Sequence, residues 1–154
     1  MSDANVTIRL LKKEEIHDAA LIAAKAYRKE TYGDLARDDL QAMFNPGQVN
    51  RPTFLVADME GELVGFVGYG QDWIDWAVYG ICWLTVLPTH QRQGVGRKLL
   101  LEAVAGCKAD EEEGVVMLAT EIPGYFTQHD FRTVQTFQAR GKLNRIMILK
   151  KERP

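Results

Sequence analysis

The 154-residue sequence holds a single serine, Ser2. It lies in what reads as a frayed terminus, which argues against a serine nucleophile. Cysteine is limited to Cys82 and Cys107. They have neither metal-ligand spacing nor the density of a disulfide scaffold, and both read as reduced thiols in the core. Cys82 falls on a predicted buried strand with no identifiable partner, which disfavours a covalent acyl-enzyme. The histidines, His17, His90 and His129, are too scattered for a metal site and read as surface residues, so no metal is expected.

Long apolar runs are missing too. Each is broken by a charge or a glycine well short of the ~20 residues of a membrane span, and the opening Met1-Ser2-Asp3-Ala4-Asn5 lacks a basic and apolar signal region. A cytoplasmic protein with no membrane partner is expected. Nor is there an excess of charge of one sign: 19 basic against 21 acidic residues leave a formal net charge of −2. That balance argues against nucleic acid or another polyanion as partner.

What is present suits one folded unit. Hydrophobic residues make up 46% of the chain, and a domain of this length buries roughly 68–70% of the surface its unfolded form exposes. With no repeat, linker or low-complexity stretch, residues 1–154 read as a single domain. Val6-Thr7-Ile8-Arg9-Leu10 alternates at period two and predicts a first strand. Apolar residues at three-to-four spacing predict helices over Glu14 to Tyr27 and Leu35 to Phe44, the second stopped by Asn45-Pro46-Gly47. Thr53 to Ala57 and Leu63 to Tyr69 predict two strands around a Glu60-Gly61 turn, and Val78 to Val86 a fourth, buried one ending before Pro88. A helix over Arg97 to Lys108 and a strand over Val115 to Ala119 follow. In the tail, Pro123 to His129 reads as a short helix, with Phe131 to Phe137 and Leu143 to Leu149 as strands around an Arg140-Gly141 turn. The order describes an α/β domain with a largely antiparallel mixed sheet.

Between strand four and its helix lies Gln91-Arg92-Gln93-Gly94-Val95-Gly96. Glycines let a backbone approach a phosphate closely, and the positive end of the following helix dipole favours an anion. Arg92, Arg97 and Lys98 add charge. The plain alternative is a strand-to-helix turn with solvated bases. Neither the dinucleotide-binding fingerprint nor the P-loop pattern fits the segment.

The pattern that does fit is Gln/Arg-x-x-Gly-x-Gly/Ala. On Leu84 to Pro88 leading into Gln91 to Leu100, with a weaker match from Tyr125 to Phe131, the chain resembles the GNAT superfamily of N-acetyltransferases. The resemblance implies a mixed, largely antiparallel sheet of six to seven strands, flanked by about four helices, that splays between strands four and five. It implies acetyl-coenzyme A as co-substrate, with pyrophosphate held by Gln91, Arg92, Gln93, Gly94, Val95, Gly96, Arg97 and Lys98. Backbone groups across Leu84, Thr85 and Val86 would then pair with the pantetheine arm. Family members often dimerise, so a homodimer is a further expectation.

Direct transfer needs a base, because an amine of pKa about 10.4 is mostly protonated at neutral pH. The family's frequent strand-four glutamate is absent from Gly80 to Leu84. Glu121, just past strand five, is the first choice and a solvated strand-end carboxylate the alternative. Asp72 and Asp75 are second choices for the base, or with Trp73 and Trp76 would attract a cationic acceptor; more plainly, both tryptophans pack on the sheet. The family's tyrosine acid falls at Phe126, or at Phe137 if the helix instead covers Thr133 to Gly141. Tyr125 is the substitute donor, and unassisted loss of the thiolate the default. The expected function is acetyl transfer from acetyl-coenzyme A to the primary amine of a small molecule or protein, and the alternative a non-catalytic acyl-coenzyme A sensor.

Overall fold

The computed structural model describes residues 5–110 and 113–151. Strands β1 (Val6–Leu10), β2 (Thr53–Met59), β3 (Glu62–Gln71), β4 (Val78–Val86), β5 (Gly114–Thr120), β6 (Arg132–Ala139) and β7 (Lys142–Lys151) form one sheet in the order β1-β2-β3-β4-β5-β7-β6. Helices α1 (Ile16–Tyr27) and α2 (Glu30–Ala42) precede β2, α3 (Val95–Asp110) joins β4 to β5, and α4 (Pro123–Thr127) follows β5. Neighbouring strands run antiparallel except β4 and β5.

Local sequence explains most boundaries. Glu60 and Gly61 (φ 53° and 91°) and Arg140 and Gly141 (φ 54° and 74°) are two-residue hairpin turns with both positions left-handed, the geometry whose twist matches the strands it joins. Arg28, at φ 55°, ends α1 by donating its N–H to the carbonyls of Ala24 and Lys25. Helix α2 begins at Glu30, well before Leu35, because its first turn is polar and faces solvent. Its buried positions are Gly33, Ala36 and Leu40. A Cβ at Gly33 would sit 3.2 Å from both the Ala20 carbonyl and the Ala24 Cβ, so glycine there lets α2 lie tightly on α1. Thr133 to Gly141 is not a helix but β6 and its turn, which removes Phe137 from the tyrosine position.

Strand alternation distributes the helices. Gly65 and Tyr69 of β3 face α3: Leu99 meets Gly65, and Gly106 lies against the Tyr69 ring, where a Cβ would be 2.3 Å away. Phe66 points to the opposite face, stacked on Trp83 at 6.1 Å and 6.3 Å from Phe54. Phe54, Phe66, Leu40, Leu99 and Leu100 are fully buried between sheet and helices, each side chain stabilising the fold by about 1.5–3 kcal/mol.

Two irregularities of β4 create the site. On one side it pairs with β5 only at Val78↔Val115, Tyr79↔Val116 and Gly80↔Met117, after which the strands part. Strand β5 stays laddered to β7 as far as Thr120↔Arg145. On the other side, the register with β3 passes from Gly68↔Cys82 to Phe66↔Thr85, so Trp83 and Leu84 together oppose Val67. Trp83 is left-handed at φ 56°. Such a bulge sharpens the local twist and bends the strand, here where β4 leaves β5.

Candidate functional site

Beyond Val86 the chain makes a short 3-10 turn at Pro88–His90 and enters the glycine loop. Gln91 Nε2 donates to the Val86 carbonyl (3.1 Å) and Gln93 Nε2 to the Thr89 carbonyl (3.4 Å), so both side chains anchor the loop to its own strand end. Arg92 (φ 62°) and Gly94 (φ 88°) are left-handed, turning successive N–H groups toward one point. The first helical bond of α3 runs from Lys98 N–H to the Gly94 carbonyl (3.1 Å). The amides just before it have no helical acceptor, and the helix adds roughly half a positive charge at that end. A Cβ on Gly96 would lie 3.2 Å from Tyr125 Oη and 3.7 Å from the Val86 side chain, so only glycine leaves this cradle open. Among the described residues neither Arg92 nor Arg97 forms an ion pair. These features fit a pyrophosphate.

The loop opens into a cleft of ≈ 1120 Å³ between the parted strands, ample for an extended cofactor arm. Residues 81–84 of β4 form one wall and residues 118–121 the other. Glu121, just past β5, lines the same cleft as Leu84. The Glu121 carboxylate is partly exposed, with Lys142 Nζ 3.5 Å from Oε2. Tyr125 stands at the loop end, its ring edge-on to Phe126 (5.1 Å) and His129 (5.6 Å). Burial raises its phenol above the ordinary value against the opposing pull of Arg97, so it stays protonated. Phe126, at the position where the family carries tyrosine, is buried in the core.

Away from the loop the cleft is bounded by Tyr27, Tyr32 and Leu35 from the α1–α2 region and by Arg140 and Asn144 from the β6–β7 hairpin. The Tyr27 ring meets Tyr32 at 4.7 Å and Trp83 at 6.0 Å, both edge-on. Burial raises the Tyr27 phenol, a hydrogen bond with Thr85 opposes this, and Tyr32, Glu121 and Arg140 all act on it. These residues carried no functional signal in the sequence. Tyr27 reads there as one more member of an apolar stripe, and Arg140 as a turn residue.

Two expectations are corrected. Cys82 is not a core residue: it is exposed on the cleft wall, next to the bulge. Its surroundings still desolvate it, and with Asp39 nearby the thiol is pushed up to about 12. Asp72, Trp73, Asp75 and Trp76 do not line the cleft but form the β3–β4 turn, at the opposite end of β4 from the glycine loop. Asp72 Oδ1 accepts the Ile74 N–H (2.9 Å) and Asp75 Oδ1 the Ala77 N–H (2.8 Å), so both carboxylates shape the turn. Trp73 and Trp76 are 85% and 78% exposed rather than packed on the sheet. His90 and His129 are half-buried, bonded to Thr89 and edge-on to Tyr125 respectively, while His17 is exposed. Among the described residues no three His, Cys, Asp or Glu side chains are grouped to hold a metal, and no helix is long and apolar enough to cross a membrane.

The family described as Acetyltransferase (GNAT) domain matches residues 50–133. No curated protein sequence matches the chain. Solved structures do. A GNAT-family protein from Desulfovibrio desulfuricans superposes with a TM-score of 0.83 at 17% identity, covering 94% of this chain and 98% of that one. The PaiA N-acetyltransferase of Thermoplasma acidophilum, in complex with coenzyme A, gives 0.73 at 19% identity over 97% and 99%. A GNAT-family acetyltransferase of Brucella melitensis, in complex with acetyl-coenzyme A, gives 0.68 at 21% identity over 94% and 87%. At such identities the likeness is one of fold.

Proposed function

Because the chain belongs to the GNAT acetyltransferases, we propose that it moves the acetyl group of acetyl-coenzyme A directly onto a primary amine of a small molecule or protein. One observation carries the reading: an anion-binding helix start and an unladdered strand edge open into the same cleft. The amides of residues 91–97, with Arg92, Arg97 and Lys98, hold the pyrophosphate. The edge of β4 from Leu84 to Val86 offers its N–H and C=O groups to the amides of the pantetheine arm, as a neighbouring strand would.

When bound, acetyl-coenzyme A supplies an acetyl group activated as a thioester. Glu121, on the cleft wall contributed by the end of β5, takes the proton that the acceptor ammonium must lose before its nitrogen attacks. Lys142 steadies that carboxylate. Tyr125 is assigned as hydrogen-bond donor at the loop end. With Phe126 buried, the thiolate leaves without a dedicated acid, as a thiol of pKa about 8.5 allows. A cytoplasmic location is part of this proposal.

A second reading rests on Phe126 and on a β4 that lacks a carboxylate from Gly80 to Leu84: the cleft binds acyl-coenzyme A without turnover and senses it. Thermal shift with coenzyme A, followed by thiol release from acetyl-coenzyme A across a panel of amines and peptides, tests both. A shift with acceptor-dependent release supports the enzyme. A shift without release supports the sensor, and no shift overturns both.

A further inference from the structure

Resting on the acetyl-transfer reading of this cleft, we infer that the acceptor is a small zwitterion of the α-amino acid class, whose amine faces Glu121 and whose carboxylate pairs with Arg140. The charges lining the cleft away from the glycine loop are one acid, Glu121, and one base, Arg140. Both line the cleft that Tyr27 also bounds, so they face one volume.

Arg140 is held in place. Its Nη2 donates to Asn144 Oδ1 at 3.2 Å, while Asn144 Nδ2 donates to the carbonyls of Ala139 (3.3 Å) and Lys142 (3.0 Å). Asn144 is 2% exposed, so a buried amide bonded to Arg140, Ala139 and Lys142 within the hairpin fixes a guanidinium at the cleft edge. Among the described residues Arg140 has no ion pair, and its other N–H groups form the fork that matches a carboxylate. A two-residue turn does not itself require such a side chain. The pyrophosphate has its own arginines, Arg92 and Arg97, at the other end.

Tyr27, Tyr32, Leu35 and Trp83 supply an apolar and aromatic wall. A polyamine or a lysine-rich peptide would call for several acids and no arginine. One acid, one base and an aromatic wall match an amino acid with an apolar side chain.

The test compares the twenty protein amino acids with their primary amides as acceptors, by thiol release, in the wild type and in Arg140→Gln and Arg140→Lys. The same ligands are titrated calorimetrically into coenzyme A-saturated protein. For the best amino acid we expect kcat/KM about ten- to a hundredfold above its amide, carried mostly by KM, as a charge-assisted hydrogen bond implies. Arg140→Gln should bring the ratio near one and Arg140→Lys restore part of it. An amide accepted as well as its acid, or a ratio unchanged in Arg140→Gln, overturns the inference. Should no amine release thiol, the transfer reading fails separately and the titration decides. Acid-selective binding lost in Arg140→Gln upholds the zwitterion site, and its absence from every ligand overturns it.

Discussion

Trp83 Nε1 donates a 2.7 Å hydrogen bond to Asp39 Oδ2, joining the left-handed residue of the β4 bulge to α2. A left-handed non-glycine residue costs about 1–2 kcal/mol. Stacking on Phe66 and the bond to Asp39 offset that strain. Asp39→Ala should therefore lower stability by about 1–2 kcal/mol, seen as a lower denaturation midpoint at unchanged slope. Turnover should fall more than coenzyme A affinity, because the bulge shapes the wall opposite Glu121 and not the glycine loop. Equal losses in both would place Asp39's influence elsewhere.

Gly96→Glu puts bulk and negative charge where the amides converge, beside Tyr125 and Val86. The variant should keep the circular dichroism of the parent and lose its thermal shift with coenzyme A. An undiminished shift would remove the loop from the binding site.

Glu121→Gln removes the assigned base and leaves the loop untouched. Its kcat should drop by about 10²–10⁴-fold with little change in coenzyme A affinity. A kcat within a few-fold of the parent assigns proton removal to another group.

Cys82 opens on the cleft yet carries a thiol pushed up to about 12 by burial first and Asp39 second. At pH 7 only about one thiol in 10⁵ is ionised, so alkylation by iodoacetamide should be far slower than for a free thiol of pKa about 8.5. The rate should still be rising above pH 10. Ordinary reactivity at neutral pH would reopen a covalent acetyl-enzyme.

Arg9 holds β1 to its neighbours, with Nη1 and Nη2 on the Glu15 carboxylate (2.9 and 2.7 Å) and Nε on Asp58 (3.2 Å). The hydrogen bond from Arg9, reinforced by the Lys12 N–H, holds the Glu15 carboxyl below its usual value despite partial burial. A depressed folded pKa adds stability above the unfolded value of about 4.3 and loses it as pH falls through the folded one. Acid unfolding below about pH 4.3 should thus be steeper in the parent than in Glu15→Gln. The two curves should lie about 1 kcal/mol apart at pH 7, and parallel curves would mean the pair contributes nothing.

The periodic parts of the chain were legible. β1 and β4 span Val6–Leu10 and Val78–Val86 as their alternation and apolar run predict, and both hairpin turns fall on the expected pairs. The structure turns the glycine loop at Arg92 and Gly94, and the order of strand, glycine loop and helix reads directly from the sequence. The bulge does not, because nothing in Gly80 to Leu84 announces a tryptophan at φ 56°; that geometry comes from tertiary contacts to Phe66 and Asp39. Exposure of Cys82 was not legible either, because the cleft it lines forms only where β4 and β5 part. Tyr27 and Arg140 escaped notice because a helix stripe and a turn explain them locally, and only the folded sheet brings them to one cleft. Asp72 and Asp75 show the converse, an acidic and aromatic cluster that looks functional and serves a turn.

The three β4–β5 pairs, with the Val115 N–H to Ala77 carbonyl bond beside them, are the main-chain rungs joining a four-strand raft to a three-strand raft. On the proposed reading, a ligand arm laid along the free edge of β4 would add rungs where the protein has none, and would become a piece of the sheet as well as its guest. Its binding would stabilise the folded chain with the logarithm of donor concentration, by about 2.7 kcal/mol at a concentration a hundredfold above Kd. Mechanical cohesion and donor supply become a single variable, and a chain starved of donor is the one most easily pulled apart.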